Sequence, residues 1–165
     1  MEKTEKFRNK YRIPSARAPW HSYNSGVYFI TICTNNKQHY FGEIFNDEMH
    51  LNLLGQYTAQ CIDAIPQLHP DFDIYLYTIM PNHLHLVIAT HLPQLIEKGS
   101  RMGLARVIQS FKRTVTMYAK ANNIEFAWQT RFHDRIVRNK TELDNIMQYV
   151  ATNVERWVRN SMHNK

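Results

Sequence analysis

The chain has 165 residues, 44% hydrophobic and 21% charged, with 20 Lys and Arg against 14 Asp and Glu for a net charge of +6. That is enough apolar material for one packed core, and the basic balance favours a polyanionic partner, nucleic acid ahead of anionic membrane. Cys33 and Cys61 match neither metal spacing nor a disulfide framework, so a reduced, cytoplasmic compartment is expected; no apolar run approaches the length of a membrane span, which argues against a membrane partner.

Residues 1–20 carry Lys3, Lys6, Arg8, Lys10, Arg12 and Arg17 with little periodicity and read as a basic N-terminal arm, leaving 21–165 as a single folded domain. Val27 to Thr34 is β-branched and aromatic, a strand. Glu43–Phe45 and Met49–Leu53 form a small hairpin around Asn46-Asp47. Gly55 to Leu68 reads as a helix burying Tyr57, Cys61, Ile62, Ile65 and Leu68, with Pro66 expected to end it early. Phe72–Met80 and His83–Thr90 are strands joined by the turn formers Pro81-Asn82. Leu92 to Gly103 reads as a loop. Leu104 to Ala121 is an amphipathic helix with Leu104, Val107, Ile108, Phe111, Val115 and Tyr118 inward, and Arg106, Lys112, Arg113 and Lys120 on its other faces. Arg135–Arg138 is a short strand. Thr141 to about Ser161 is a last helix, with Thr141 as N-cap and Asp144 in the first turn. This order predicts an α+β sandwich, helices on one face of a mainly antiparallel sheet.

His83 and His85 are separated by one residue in a strand, so both imidazoles face the same side, a few ångströms apart. Imidazole is the commonest protein metal ligand near neutral pH. Two on one strand make half a metal site; the alternative is a pair of histidines bonded to nearby backbone. On the last helix, at about 100° per residue, Tyr149 and Asn153 fall on one flank of the core stripe formed by Leu143, Ile146, Met147, Val150, Val154, Trp157 and Val158. A tyrosine and an asparagine at the edge of the core are placed to face a site on the sheet; a boundary tyrosine that merely covers the core edge is the simpler alternative.

Pro81-Asn82-His83-Leu84-His85 resembles the His-hydrophobic-His signature of the HUH endonucleases. Tyr28 to Thr34, Tyr40-Phe41-Gly42, Phe111-Lys112, Trp128-Gln129, Phe132 to Asn139, and Tyr149 to Asn153 followed by Trp157 add a resemblance to the single-tyrosine, insertion-sequence-type transposases, and within them to the REP-associated tyrosine transposase group. The likeness runs in order over residues 25–158. It implies a ferredoxin-like fold with the histidines on a central strand and the tyrosine on a late helix. It implies His83, His85 and Asn153 as ligands of a divalent metal, Mg²⁺ or Mn²⁺, and Tyr149 as nucleophile. Members often carry Asn-Pro where this chain has Asn153-Val154, and valine would continue the helix.

The resemblance implies cleavage and rejoining of single-stranded DNA bearing a hairpin, of REP-like or insertion-sequence-end type, through a 5′-phosphotyrosine, by a monomer or homodimer. Arg106, Lys112, Arg113, Arg131, Arg135, Arg138 and the basic arm are the expected phosphate contacts. Trp128, Phe132 and Trp20 are candidates to stack on unpaired bases. Glu142, on the Tyr149 flank, is a candidate general base. Three rivals remain. One is an RRM-like nucleic-acid-binding module. Another is a histidine-triad hydrolase, which needs a third histidine where Val87 stands. The last is a domesticated DNA-binding homologue that does not cleave.

Overall fold

The computed structural model describes residues 26–90 and 101–164, together with two short strands, β1 (Lys6–Phe7) and β2 (Tyr11–Arg12), which pair antiparallel. The rest of the expected basic arm, Trp20, and most of the expected 92–103 loop lie outside the described residues. Next come β3 (Val27–Cys33), the hairpin β4 (Gly42–Phe45) and β5 (Glu48–Leu51), α1 (Leu53–Leu68), β6 (Phe72–Met80) and β7 (His83–Thr90). The chain ends with α2 (Arg101–Ala121), β8 (His133–Ile136), α3 (Lys140–Ala151) and α4 (Asn153–His163).

The main sheet has the order β6-β7-β3-β8, and all three pairings are antiparallel. With β4–β5 set aside as an insertion, the order β3-α1-β6-β7-α2-β8 is the βαββαβ arrangement of a ferredoxin-like sandwich. The expected fold class is therefore the one observed, with the histidines on the inner strand β7.

The two faces of the sheet carry separate cores. Ile30, Ile32, Leu84, Leu86 and Ile88 are fully buried against α1 and α2, whose Ile62, Ile65, Leu104, Ile108 and Val115 meet them. Each such side chain contributes roughly 1.5–3 kcal/mol by leaving water. On the opposite face, Val27, Leu76, Val87 and Ala89 pack under Leu143, Ile146 and Val150 of α3. Helices thus cover both faces, not one. Alternation along β3 and β7 allots residues to the two cores: even-numbered residues of both strands face α1 and α2, and odd-numbered ones face α3.

Several element ends differ from the sequence reading for identifiable reasons. Asn52 caps α1 by accepting from the Gly55 N–H at 2.9 Å, so the helix starts earlier and turns Leu54, Gly55 and Thr58 inward. Tyr57 and Cys61 are half-buried, and Leu68 is 70% exposed. Gly55 is required there, because a methyl group at that position would overlap the Phe41 carbonyl. Pro66 does not end α1; it falls in the last turn, and the His69 N–H still reaches the Ile65 carbonyl at 2.8 Å. Helix α2 begins at Arg101 rather than Leu104, and β8 is two residues earlier than Arg135–Arg138. The cap of α3 is Asn139, which accepts from the Glu142 N–H at 2.8 Å, and not Thr141.

The last helix is two helices. Thr152 (φ −103°, ψ 14°) separates α3 from α4. Its hydroxyl donates to the Gln148 carbonyl at 2.8 Å, and its own N–H reaches the same oxygen at 3.0 Å. A threonine that bonds back to residue i−4 bends a helix. Val154 therefore does not sit in an unbroken helix; the chain turns just before Asn153.

Candidate active site

Four elements meet at the histidine end of β7. The turn that precedes it is clamped: the Thr34 N–H and hydroxyl both donate to the Asn82 carbonyl at 2.9 Å, and the Phe41 N–H donates to the Pro81 carbonyl at 3.2 Å. The Asn82 amide nitrogen reaches the Lys37 carbonyl at 3.4 Å, which leaves its Oδ1 to accept from His83 Nδ1 at 2.7 Å. That bond places the His83 proton on Nδ1 and the lone pair on Nε2. His85 Nδ1 pairs with the Thr31 hydroxyl at 2.9 Å, directly across the β3–β7 ladder. When that hydroxyl accepts, His85 also presents an Nε2 lone pair. Polar partners of this kind fix the tautomer and orientation of ligating histidines.

The two imidazoles lie 4.8 Å apart, edge to face. Phe29 stacks on His85 at 5.2 Å. Trp157, from α4, lies nearly parallel to His83 at 6.1 Å. Burial pushes the His83 pKa down, and the Asn153 carboxamide pulls the other way because it would accept from the protonated ring, a bond the neutral Nδ1–H tautomer does not make; burial and the neighbouring His83 push His85 down to about 3. Both rings are therefore neutral near pH 7, the form that binds a metal.

Tyr149 comes from α3 of the same chain. Its ring lies 5.5 Å from His85 and 6.1 Å from Phe29, edge-on to both. The break at Thr152 turns Asn153 inward, to 6% exposure, beside His83. Two buried polar atoms, His85 Nε2 and Asn153 Oδ1, have no hydrogen-bond partner. Buried polar atoms are seldom left unpaired, and an absent ion is one standard reason. Among the described residues no three His, Cys, Asp or Glu side chains converge to hold a metal. Asn153 is the polar side chain that the described residues place beside the pair. Cys33 pairs with His83 across the ladder, but burial raises its pKa and keeps it a thiol. Imidazole nitrogen plus amide oxygen suits a divalent ion such as Mn²⁺ or Mg²⁺.

A cavity of about 320 Å³ opens on this group, lined by His83, Tyr149, Asn153, Arg156, Trp157, Arg159 and Asn160. Arg156 and Arg159 are absent from the sequence reading. Arg156 lies over the Tyr149 ring, its guanidinium carbon 4.7 Å from the centroid. Its offset of three from Asn153 could have marked it; the bend at Thr152, which decides its direction, could not have been read from periodicity. Thr31 had a signal too, as a polar residue at the centre of a buried strand.

The other candidates divide. Arg106 and Arg113 are exposed on α2, which packs on the opposite face of the sheet from the histidines. Lys112 donates to the Gln129 carbonyl at 2.8 Å, with the Thr130 carbonyl at 3.5 Å, so it braces that segment. Trp128 packs among Phe41, Phe111 and Phe126, and its indole N–H donates to the Lys112 carbonyl at 3.0 Å. Its ring is half-buried at the core edge. Phe132 is likewise packed at that core. Arg131, Arg135 and Arg138 are exposed along β8 and its flanks. Arg135 pairs with Glu142 at 2.5 Å, and the Arg138 N–H donates to the same carboxylate at 2.9 Å. Glu142 is thereby committed to bracing β8, and it does not line the Tyr149 cavity.

No protein-family model matches the chain. Its fold is that of a REP-associated tyrosine transposase solved bound to a REP hairpin, with a TM-score of 0.53 at 17% identity over 94% of this chain and 74% of that one. In sequence it is 35% identical, over 90% of its length and 92% of the other's, to an uncharacterized protein of Haemophilus influenzae. By that identity and coverage, the chain belongs to the family of this Haemophilus influenzae protein.

Proposed function

We propose that the chain is a metal-dependent single-strand DNA endonuclease and strand transferase, a transposase whose nucleophile is Tyr149. The observation that carries this reading is the meeting of Tyr149 with two buried lone-pair atoms that have no hydrogen-bond partner, His85 Nε2 and Asn153 Oδ1. The fold of a transposase bound to a DNA hairpin supports it.

His83, His85 and Asn153 would hold the divalent ion, which when bound supplies Lewis acidity at a phosphate oxygen. The Tyr149 oxygen attacks phosphorus and gives its proton to solvent, the phosphorus–O3′ bond breaks, and that oxygen takes a proton from solvent and leaves as a 3′-hydroxyl. A 5′-phosphotyrosine remains. Attack by another strand's 3′-hydroxyl reverses the exchange and returns the phenol, so rejoining needs no external energy source. The edge contact with His85 and the guanidinium over its ring hold the Tyr149 phenol at the site. A single catalytic domain over 21–165, with residues 1–20 as a further DNA contact, completes the proposal, and free thiols at Cys33 and Cys61 fit a reducing cytoplasm.

The test is incubation with end-labelled, hairpin-bearing single-stranded oligonucleotides. The expected result is a covalent protein–DNA adduct with Mn²⁺, none with EDTA, and none from Tyr149→Phe. Binding without an adduct under any metal condition would assign the chain to the class of non-cleaving DNA-binding modules.

A further inference from the structure

The cavity beside Tyr149 has a charge character of its own. Two arginines line it and no carboxylate does. These two guanidinium groups, with no carboxylate beside them, make it a polar cleft of positive character. Arg156 and Arg159 are exposed on α4, and neither forms an ion pair among the described residues. Asn153, Arg156 and Asn160 follow at intervals of three and four, and Arg159 lies beside them, so one face of α4 carries all four. That face starts at the proposed ligand Asn153 and runs outward for about 10 Å at 1.5 Å per residue.

Arg156 is also held at two points. Its Nε donates to the Thr152 hydroxyl at 3.3 Å, and its guanidinium lies over the Tyr149 ring. Thr152 is the residue at which the helix breaks. One side chain thus ties the helix break, the nucleophile and the positive cleft together.

We propose that Arg156 and Arg159 form a seat for the backbone phosphate next to the scissile one, and that Arg156 also positions Tyr149. The ligand is a phosphodiester of single-stranded DNA. A phosphate seated on Arg156 fixes the guanidinium over the phenol and so aligns the Tyr149 oxygen. This rests on the reading of Tyr149 as nucleophile, but the seat is testable without cleavage. A planar guanidinium stacks on a ring with its face and binds phosphate through its edge, a fixed geometry that the point charge of a lysine ammonium does not reproduce.

The experiment has two arms. In EDTA, binding of a fluorescein-labelled hairpin oligonucleotide is followed by anisotropy across a salt series. Arg156→Gln and Arg159→Gln should each flatten the slope of log K against log salt by about 0.7, the value for one single-strand phosphate contact. With Mn²⁺ and saturating oligonucleotide, the rate of adduct formation should fall about tenfold or more in Arg156→Gln. It should fall much less in Arg159→Gln. Arg156→Lys should restore the salt slope but not the rate. Unchanged slopes in both glutamine variants overturn the seat, and full recovery of the rate by Arg156→Lys overturns the positioning role. Flattened slopes in a protein that forms no adduct support the seat and refute the reading of Tyr149 as nucleophile.

Discussion

Thr31→Val is the sharpest probe of how the histidine pair is built. The change keeps the side-chain shape and β-propensity but deletes the hydroxyl 2.9 Å from His85 Nδ1. His85 is 5% exposed and its Nε2 is already unpaired, so the variant leaves both ring nitrogens without a partner. A buried polar atom stripped of its bond costs about 1–3 kcal/mol, and because Thr31 is itself only half-buried the lower part, about 1–2 kcal/mol, applies. For a domain of this size that is a fall of roughly 3–6 °C in Tm. A second effect comes through the metal. Losing the partner that orients a ligating histidine weakens metal affinity by about 10–100-fold, and that removes about 1.4–2.7 kcal/mol of ligand-linked stability at saturating Mn²⁺. Thermal unfolding of wild type and variant, each in EDTA and in Mn²⁺, separates the two. The gap in Tm between the proteins should widen when Mn²⁺ replaces EDTA. An equal gap in both conditions would refute the assignment of Thr31 as the support of a metal-binding His85.

Three further outcomes follow from the geometry. Because burial holds the His85 pKa at about 3 in the folded chain, against 6.5 when unfolded, the unfolded state takes up the proton first; stability in EDTA is fully present above pH 6.5 and is lost as pH falls toward 3. Urea titration should show a loss of about 2 kcal/mol from this residue between pH 7.5 and pH 5, absent from His85→Phe. The Tyr149 ring lies against His85 of its own chain, so mixing Tyr149→Phe with His83→Ala protein should restore no adduct, whereas recovered activity would place the tyrosine in a partner subunit. Lys112→Met should cost about 1 kcal/mol in denaturant titration by freeing the 129–130 carbonyls, and leave the salt slope of DNA binding unchanged; a flattened slope would return Lys112 to the DNA surface.

Much of this arrangement is legible in the sequence because two periodicities write it. Alternation along Val27–Cys33 and His83–Thr90 assigns odd and even residues to opposite cores, and the same rule puts His83 and His85 on one face. Pro81-Asn82 marks the turn, and the structure adds that Asn82 orients His83 through Oδ1. The region after Gln148 is different. Angles counted along one straight helix put Tyr149 and Asn153 on the same flank, and they do converge, but by way of a bend. The bend arises from one hydroxyl bonding back to one carbonyl, a local competition that hydrophobic spacing does not encode. Arg156 was missed for that reason. The partners of Lys112 and Trp128 were illegible for another: charge and aromaticity identify what a side chain can do, while the partner it finds, here the backbone of 129–130 and the ring cluster of Phe41, Phe111 and Phe126, is set by tertiary packing. Helix counting along α2 could not show that Arg106 and Arg113 sit across the sheet from the histidines.

The most direct measurement is the identity of the residue that carries DNA. After reaction of the full chain with a hairpin-bearing single strand in Mn²⁺, nuclease trimming and tryptic digestion, peptide mass spectrometry locates the remaining nucleotide. The peptide spanning residues 141–156 contains Tyr149 as its one tyrosine. The account predicts a phosphodiester-linked nucleotide on that residue, with its yield abolished by EDTA and by Asn153→Leu. A nucleotide on any other tyrosine, or none on this peptide while the strand is cut, would contradict it.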